Sequence, residues 1–381
     1  MPKRILIVGE FGTRNGGENS ILAVIPSLIR RGWEFHAAVP IHSDFADALQ
    51  QSGICVNDLS MNEPSGARKS QTVIRADVTK FINLTNPDII HCNSLSTSRI
   101  CGPIASQLKL PSLGYLRDIM KLSKQAMADI NELDRIIAVS KATRDWHCCR
   151  GIDLEKTFVV YNGVDTETFF PSATFEQSNA RCPIRHELGI STDAPVLLFV
   201  GQIGIRKGVD TLVGAFQIAA RSLPNAHLLI VGQRHSQKQE AIEFENRLHV
   251  QTDSSTYRPK IHWLGARSDV ADLMRASTIL VHPARQEPLG RVLLEAMASG
   301  LPIITTRVGG SAEILSTPEL DSMLVDPNDT SGLADAIIGL ANDAAKRKQL
   351  SRSIRAIAEN AFSIDQCEQQ LNLHYRRLLH L

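Results

Sequence analysis

A chain of 381 residues with 43% hydrophobic and 21% charged side chains and a formal net charge of +1 is too long for one ordinary core. It is also too balanced in charge for a broad nucleic-acid footprint, and too ordinary in composition for a disordered or fibrous protein. Two domains of about 150 to 200 residues are the starting expectation.

Met1-Pro2-Lys3-Arg4 runs directly into an apolar segment at 4–8, with neither the long apolar stretch nor the small-residue cleavage site of a secretory signal. An amphipathic stretch to Arg31 and an apolar segment at 34–39 complete a β-α-β unit. Apolar runs follow at 88–91, 112–116, 135–139 and 157–161, with helical spacers between them. Continuously apolar strands of this length suit a parallel sheet covered on both faces. Between about Phe170 and Ala194 the pattern lapses into Pro, Ser, Thr, Asn and charged residues, then restarts at 196–201. Strands near 227–232, 261–265, 278–283 and 302–307 repeat the logic, and 364–381 reads as a helix with apolar residues at helical spacing.

The expectation is an α/β chain of two Rossmann-like domains, 1–170 and 190–363, with a terminal helix, 364–381, able to pack back on the first. Ligands of open parallel sheets bind beyond the carboxyl ends of the strands, so two such sheets facing an interdomain cleft put the site there. No uninterrupted apolar run approaches the roughly 18 residues that span a bilayer. A cytoplasmic protein is expected, in contact with a membrane only peripherally, and the basic enrichment between Lys109 and Arg150 reads first as solvated surface. The seven cysteines include no C-x-x-C pair and read as reduced thiols, and Trp146-His147-Cys148-Cys149 reads as helix packing rather than a metal site.

The chemistry-bearing motifs sit at strand ends. Residues 9–18, Gly-Glu-Phe-Gly-Thr-Arg-Asn-Gly-Gly-Glu, join the first strand to the first helix, and glycines there permit positive φ and close backbone approach to an anion, although a simple turn needs them as well. His91 at a strand end reads first as a satisfied histidine and second as a functional one. Arg117 follows Gly114-Tyr115-Leu116; it cannot shuttle protons at neutral pH but can grip a phosphate or carboxylate bidentately, with Asp118 orienting it. In the second half, Arg206 and Lys207 lie in a glycine-rich turn, 201–210, where adjacent cations and backbone donors can hold an anion. The turn Val308-Gly309-Gly310 reads chiefly as structural.

The strongest segment runs from His282 to Gly300, His-Pro-Ala-Arg-Gln-Glu-Pro-Leu-Gly-Arg-Val-Leu-Leu-Glu-Ala-Met-Ala-Ser-Gly. Glu287 stands in a loop, seven residues separate it from Glu295, and Pro288-Leu289-Gly290 opens the helix between them with free N–H groups. Carboxylates suit hydroxyls and helix N-termini suit phosphates, a combination that fits a nucleotide sugar.

This segment resembles the E-x7-E signature of glycosyltransferase family 4, retaining enzymes of the GT-B fold. The resemblance extends to residues 88–91, 137–140 and 161–165, and so covers nearly the whole chain. It implies that Glu287 contacts the transferred sugar and Glu295 the ribose hydroxyls, with Leu289 and Gly290 beside the donor. It implies that Lys207 acts on the leaving diphosphate, and that the Gly16-Gly17 loop approaches donor and acceptor, with Asn15 and Arg14 within reach of the latter. Val231-Gly232 and the turn at Gly265 and Ala266 match positions where the family reads the base through main-chain groups.

Two departures stand out. Gln202 occupies the usual arginine position of the Lys207 motif, leaving Arg206 as the neighbouring substitute. Arg117-Asp118 stands where many members carry His-Asp, which makes Arg117, with Asn15 and His91, an acceptor-side candidate.

The implied reaction is transfer of a hexose from a nucleotide-diphosphate sugar to an acceptor hydroxyl with retained configuration, a phosphate oxygen taking the proton. Lys207, Glu287 and Arg206 carry it. The chain has no Asp-x-Asp, so neither metal nor other cofactor is expected. The partners are the donor and an acceptor that is a saccharide, lipid or small metabolite, with no nucleic acid. A nucleotide-sugar 2-epimerase and a non-catalytic nucleotide-sugar-binding protein are the alternatives; the first needs differently placed carboxylates, and the second binds donor without transfer.

Overall fold

The computed structural model describes residues 2–172 and 183–381. Two compact units divide the chain: Met1–Gly163 with Ile364–Leu381, and Val164–Ser363.

The first unit holds a seven-stranded sheet in the order β3-β2-β1-β4-β5-β6-β7, every pairing parallel. Its strands are β1 (Lys3–Val8), β2 (Trp33–Val39), β3 (Cys55–Asp58), β4 (Ile89–Cys92), β5 (Ser112–Leu116), β6 (Arg135–Ala138) and β7 (Thr157–Val159). Central strands are buried on both faces, as Ile5 to Val8 and Ile89 to Cys92 show, which is why they read as unbroken apolar runs. Chain direction across the sheet reverses between β1 and β4. The helix Gly16–Arg30 leaves β1 with Ile21, Val24, Ile25 and Leu28 on its buried face.

The terminal helix Ile364–Leu378 belongs to this unit. Cys367, Leu371, His374 and Tyr375 lie along one buried face at helical spacing. It is tied down by the indole Nε1 of Trp33 donating to Asn372 Oδ1 at 2.8 Å, by an Arg31–Glu368 ion pair at 2.6 Å, and by the Tyr375 hydroxyl against His91 Nδ1 at 2.6 Å.

The second unit holds a six-stranded parallel sheet, β10-β9-β8-β11-β12-β13. The strands are β8 (Val196–Val200), β9 (His227–Val231), β10 (Ile261–Gly265), β11 (Ile279–His282), β12 (Ile303–Thr306) and β13 (Leu324–Val325). Its direction reverses between β8 and β11.

The units divide at Gly163 and Val164 rather than near residue 170. Val164 N donates to Phe362 O at 2.8 Å, and Arg355 Nη1 donates to Phe169 O at 2.7 Å, so this stretch is held by the second unit before any break in pattern marks the change. The expected linker falls in part on 173–182, outside the described residues. Among the described residues no helix is long and apolar enough to cross a membrane. The six described cysteines are free thiols.

Candidate active site

The switch point of an open parallel sheet leaves a crevice beyond the carboxyl ends of two neighbouring strands, because their following loops turn to opposite faces. In the second unit these are the loops after β8 and β11. The first passes through a short 3-10 turn, Ile205–Lys207, into the helix Val209–Ala219. Gly208 joins them at φ +65°, and a Cβ there would lie 2.0 Å from the Pro283 carbonyl oxygen. Only glycine permits this approach of the two loops.

Arg285 fastens them further. Its backbone N–H donates to Arg206 O at 2.8 Å, and its guanidinium grips Asp210 bidentately at 2.9 and 2.8 Å while also donating to Ile205 O at 2.6 Å.

On this frame Lys207 Nζ reaches Glu287 Oε2 at 2.5 Å, and His282 Nε2 meets the same oxygen at 2.7 Å. All three side chains are largely withdrawn from water, with 13%, 7% and 1% of their side-chain surfaces exposed for Lys207, Glu287 and His282. Burial alone raises a carboxyl pKa, but the ammonium of Lys207 and the hydrogen bond from His282 outweigh it and hold Glu287 well below the usual carboxylate range. Burial, aided by the charge of Lys207, pushes His282 below the usual imidazole range, so it is neutral. Arg206 is half-buried, has no side-chain hydrogen bond or ion pair among the described residues, and adds its charge to the field at His282. Gln202 is turned elsewhere, with its amide Nε2 3.1 Å from His235 Nδ1.

The helix Arg291–Ala298 begins at Gly290, φ +95°, immediately after the buried Leu289. Glu295 lies one turn beyond Arg291, 3.3 Å from its guanidinium; burial raises the carboxyl pKa and Arg291 partly offsets that. Gly310 serves packing: its N–H donates to Glu287 O at 2.9 Å, and a Cβ would meet the Leu289 backbone at 2.5 Å. Gly265 ends β10 at φ +64°, and its carbonyl accepts from Gly232 N at 2.7 Å, with Ala266 exposed beside it. The switch point therefore brings Lys207, Arg206, Glu287, Leu289 and Gly290 together on two linked loops. Gly265 closes the edge strand of the same sheet and Ala266 follows it.

In the first unit the switch point lies between the loops after β1 and β4. Asn15 precedes the helix that starts at Gly16; its N–H donates to Glu18 Oε2 at 3.2 Å and its amide to Thr13 Oγ1 at 2.9 Å, both local turn contacts. Arg14 likewise turns to Asn19, at 3.1 Å. Arg117 lies against Gly17, where a Cβ would be 2.9 Å from its Cδ, and stacks 4.0 Å over the ring of Tyr115. Its fork is engaged by Asn93, Nε with the backbone oxygen and Nη2 with Oδ1, each at 2.8 Å, and Nη1 lies 3.3 Å from Asn162 Oδ1.

Asp118 does not orient Arg117; its carbonyl lies 2.8 Å from His147 Nε2. His91 is enclosed within β4 and faces Tyr375, with its pKa lowered to about 3 by burial and by the charge of Arg117. It is a neutral core histidine with no surface for an acceptor, because β4 is covered on both faces.

Sequence reasoning missed His282 and Arg285 as site residues. His282 carried a usable signal, since it ends an apolar strand five residues before Glu287. The Arg285–Asp210 bond joins positions 75 residues apart and had none.

A family model described as "Glycosyl transferases group 1" matches residues 181–356, and one described as "Glycosyltransferase Family 4" matches residues 14–168. The chain belongs to glycosyltransferase family 4. Within the family it is 31% identical over 217 residues to a D-inositol 3-phosphate glycosyltransferase of Xylanimonas cellulosilytica, covering 57% of this chain and 50% of that protein. It is 35% identical over 186 residues to the lipopolysaccharide glucosyltransferase WaaG of Escherichia coli, covering 48% of this chain and 45% of that one. The chain thus spans about half the length of these curated relatives. Anabaena HepE, solved in complex with UDP, superposes with a TM-score of 0.84 at 22% identity, covering 98% of this chain and 100% of that one. The family's GT-B architecture, two Rossmann-like domains with parallel sheets, is the fold of this chain.

Proposed function

We propose that this chain is a retaining, metal-independent hexosyltransferase that moves a hexose from a nucleotide-diphosphate sugar to an acceptor hydroxyl. The observation that carries the reading is the shared contact of Lys207 and His282 on one oxygen of Glu287, at the switch point of the second unit. Buried ion pairs are on average no more stabilising than well-packed apolar side chains, so this one argues for a ligand.

As the bond between the anomeric carbon and the diphosphate breaks, its electrons pass to the leaving phosphate oxygen. Lys207, whose ammonium has three donors, holds Glu287 and reaches that oxygen, and Arg206 adds a second positive charge. Glu287 is held ionised far below neutral pH, which makes it a poor proton carrier and a good acceptor for a sugar hydroxyl. The acceptor oxygen then bonds to the anomeric carbon on the face the diphosphate leaves, and its proton passes to a phosphate oxygen. With no Asp-x-Asp in the chain, charge neutralisation rests on Lys207, Arg206 and helix N-termini.

HepE bears UDP in one structure and UDP-glucose in another, which makes these the first ligands to try. The test is a donor screen read by nucleoside-diphosphate release in excess chelator, with mass and anomeric analysis of the products. Transfer with retained configuration in chelator is the expected result. Activity restored only by magnesium or manganese, or an inverted product, overturns the corresponding part. Donor epimerisation without acceptor, or binding without turnover, replaces the reading with an isomerase or a sensor.

A further inference from the structure

Glu287 presents two oxygens, and both of its contacts fall on one of them. Lys207 and His282 converge on Oε2, while Oε1 makes no hydrogen bond among the described residues. A carboxylate turns easily about its last torsion, which has a broad, two-fold profile. An ammonium on a four-carbon stem fixes charge but not direction. The imidazole of His282 does fix direction. It ends β11, where Thr305 Oγ1 donates to its backbone oxygen at 2.8 Å, and its ring stacks on Phe199, 6.2 Å between centroids with 12° between planes. An ionised carboxylate only accepts, so Nε2 carries the proton of this contact. The opposite nitrogen, Nδ1, is buried without a partner, the state expected of an imidazole whose one proton sits on Nε2.

We infer that His282 is a positioning residue for sugar recognition: by donating from Nε2 to Glu287 Oε2, it commits that oxygen and leaves Oε1 as the acceptor for a hydroxyl of the transferred hexose. This rests on the reading of Glu287 as the sugar contact. The rigid ring sets which way the carboxylate presents its free oxygen, and the diphosphate contacts of Lys207 and Arg206 do not depend on it.

Two measurements test the inference. In the first, wild type, His282→Leu and His282→Gln are titrated with UDP and with UDP-glucose. Loss of one hydrogen bond to a charged group weakens UDP-glucose binding by about tenfold in His282→Leu, while UDP binding, which also reports folding, changes by less than about twofold. His282→Gln, whose amide N–H replaces Nε2–H, restores UDP-glucose binding to within about threefold of wild type, and His282→Leu adds no further loss to Glu287→Gln. Equal losses for both ligands, or additive losses in the double variant, overturn the inference.

The second measurement needs no ligand. Selective histidine 15N labelling shows His282 as the neutral tautomer protonated at Nε2 at neutral pH, with a proton resonance that moves in Glu287→Gln. A proton on Nδ1, or an imidazolium, overturns the inference. Failure of wild type to bind either nucleotide refutes the donor reading instead and leaves the tautomer to decide the role of His282.

Discussion

The two switch points solve the same geometric problem with differently held cations. Each has a glycine turn after its first strand; in the first unit a separate cation-bearing segment lies against that turn, and in the second the turn itself carries the cation. At β1 and β4 the cation is Arg117, which follows β5, donates to oxygens of Asn93 and Asn162 and adds its charge to the field at the buried carboxyl of Glu18. At β8 and β11 the cation is Lys207, and its partner is the carboxylate of Glu287. Amide oxygens orient a guanidinium without cancelling its charge, whereas a carboxylate in direct contact with an ammonium offsets most of it. The first arrangement braces a guanidinium between loops, and the second pairs an ammonium with a carboxylate across two linked loops.

The largest expected effect breaks the second arrangement. Lys207→Ala lowers kcat by roughly a hundredfold or more, the scale of losing one transition-state stabiliser, with a smaller change in donor affinity by steady-state kinetics. Unchanged turnover in a folded variant moves the role to Arg206. Next come the two glutamates. Removing one buried ligand contact costs about 1.5 to 3 kcal/mol, roughly ten- to a hundredfold in affinity. Glu295→Gln weakens the free nucleoside diphosphate and the intact donor alike, and Glu287→Gln spares the former; calorimetric titration with both ligands separates them, and equal losses in Glu287→Gln contradict the assignment.

The brace predicts a smaller effect of another kind. Arg117→Lys keeps the charge but loses the fork, so urea unfolding should show a loss of about 1 to 2 kcal/mol. A raised acceptor KM without that loss makes Arg117 a substrate contact instead. The effect at His91 is absent at neutral pH and emerges only as the pH falls. Its folded pKa of about 3 lies below its unfolded value of 6.5, so its contribution to stability is complete above 6.5 and is lost as pH falls toward 3. Across that window His91→Gln flattens the dependence of unfolding free energy on pH by up to about 1.4 kcal/mol per pH unit. Equal slopes in the two proteins refute the buried neutral state.

Legibility followed burial and sequence distance. Strands buried on both faces, such as Ser112–Leu116, stand out as continuous apolar runs, and the terminal helix stands out through its 3.6-residue spacing. The edge strands β3 and β13 leave no such run, being short, paired on one side and partly exposed. In the candidate site, Glu287 and Glu295 are visible because one loop and one helix contain both. The bond from Lys207 to Glu287 spans 80 residues, and only the resemblance to a family suggested that the two motifs belong together. His91 is polar in a strand-end motif, and nothing local shows that a tyrosine 284 residues away covers it.

That same tyrosine gives the first unit an unusual order of assembly. The helix Ile364–Leu378 completes the surroundings of His91 and Trp33, so the first unit is interrupted by the whole of the second. During synthesis, which feeds out roughly 5 to 20 residues per second, the whole stretch Val164–Ser363 is made between the body of the first unit and the helix that completes it. For some seconds the nascent chain exposes the apolar strip against which Leu371 and Tyr375 later settle. The unit translated first is finished last.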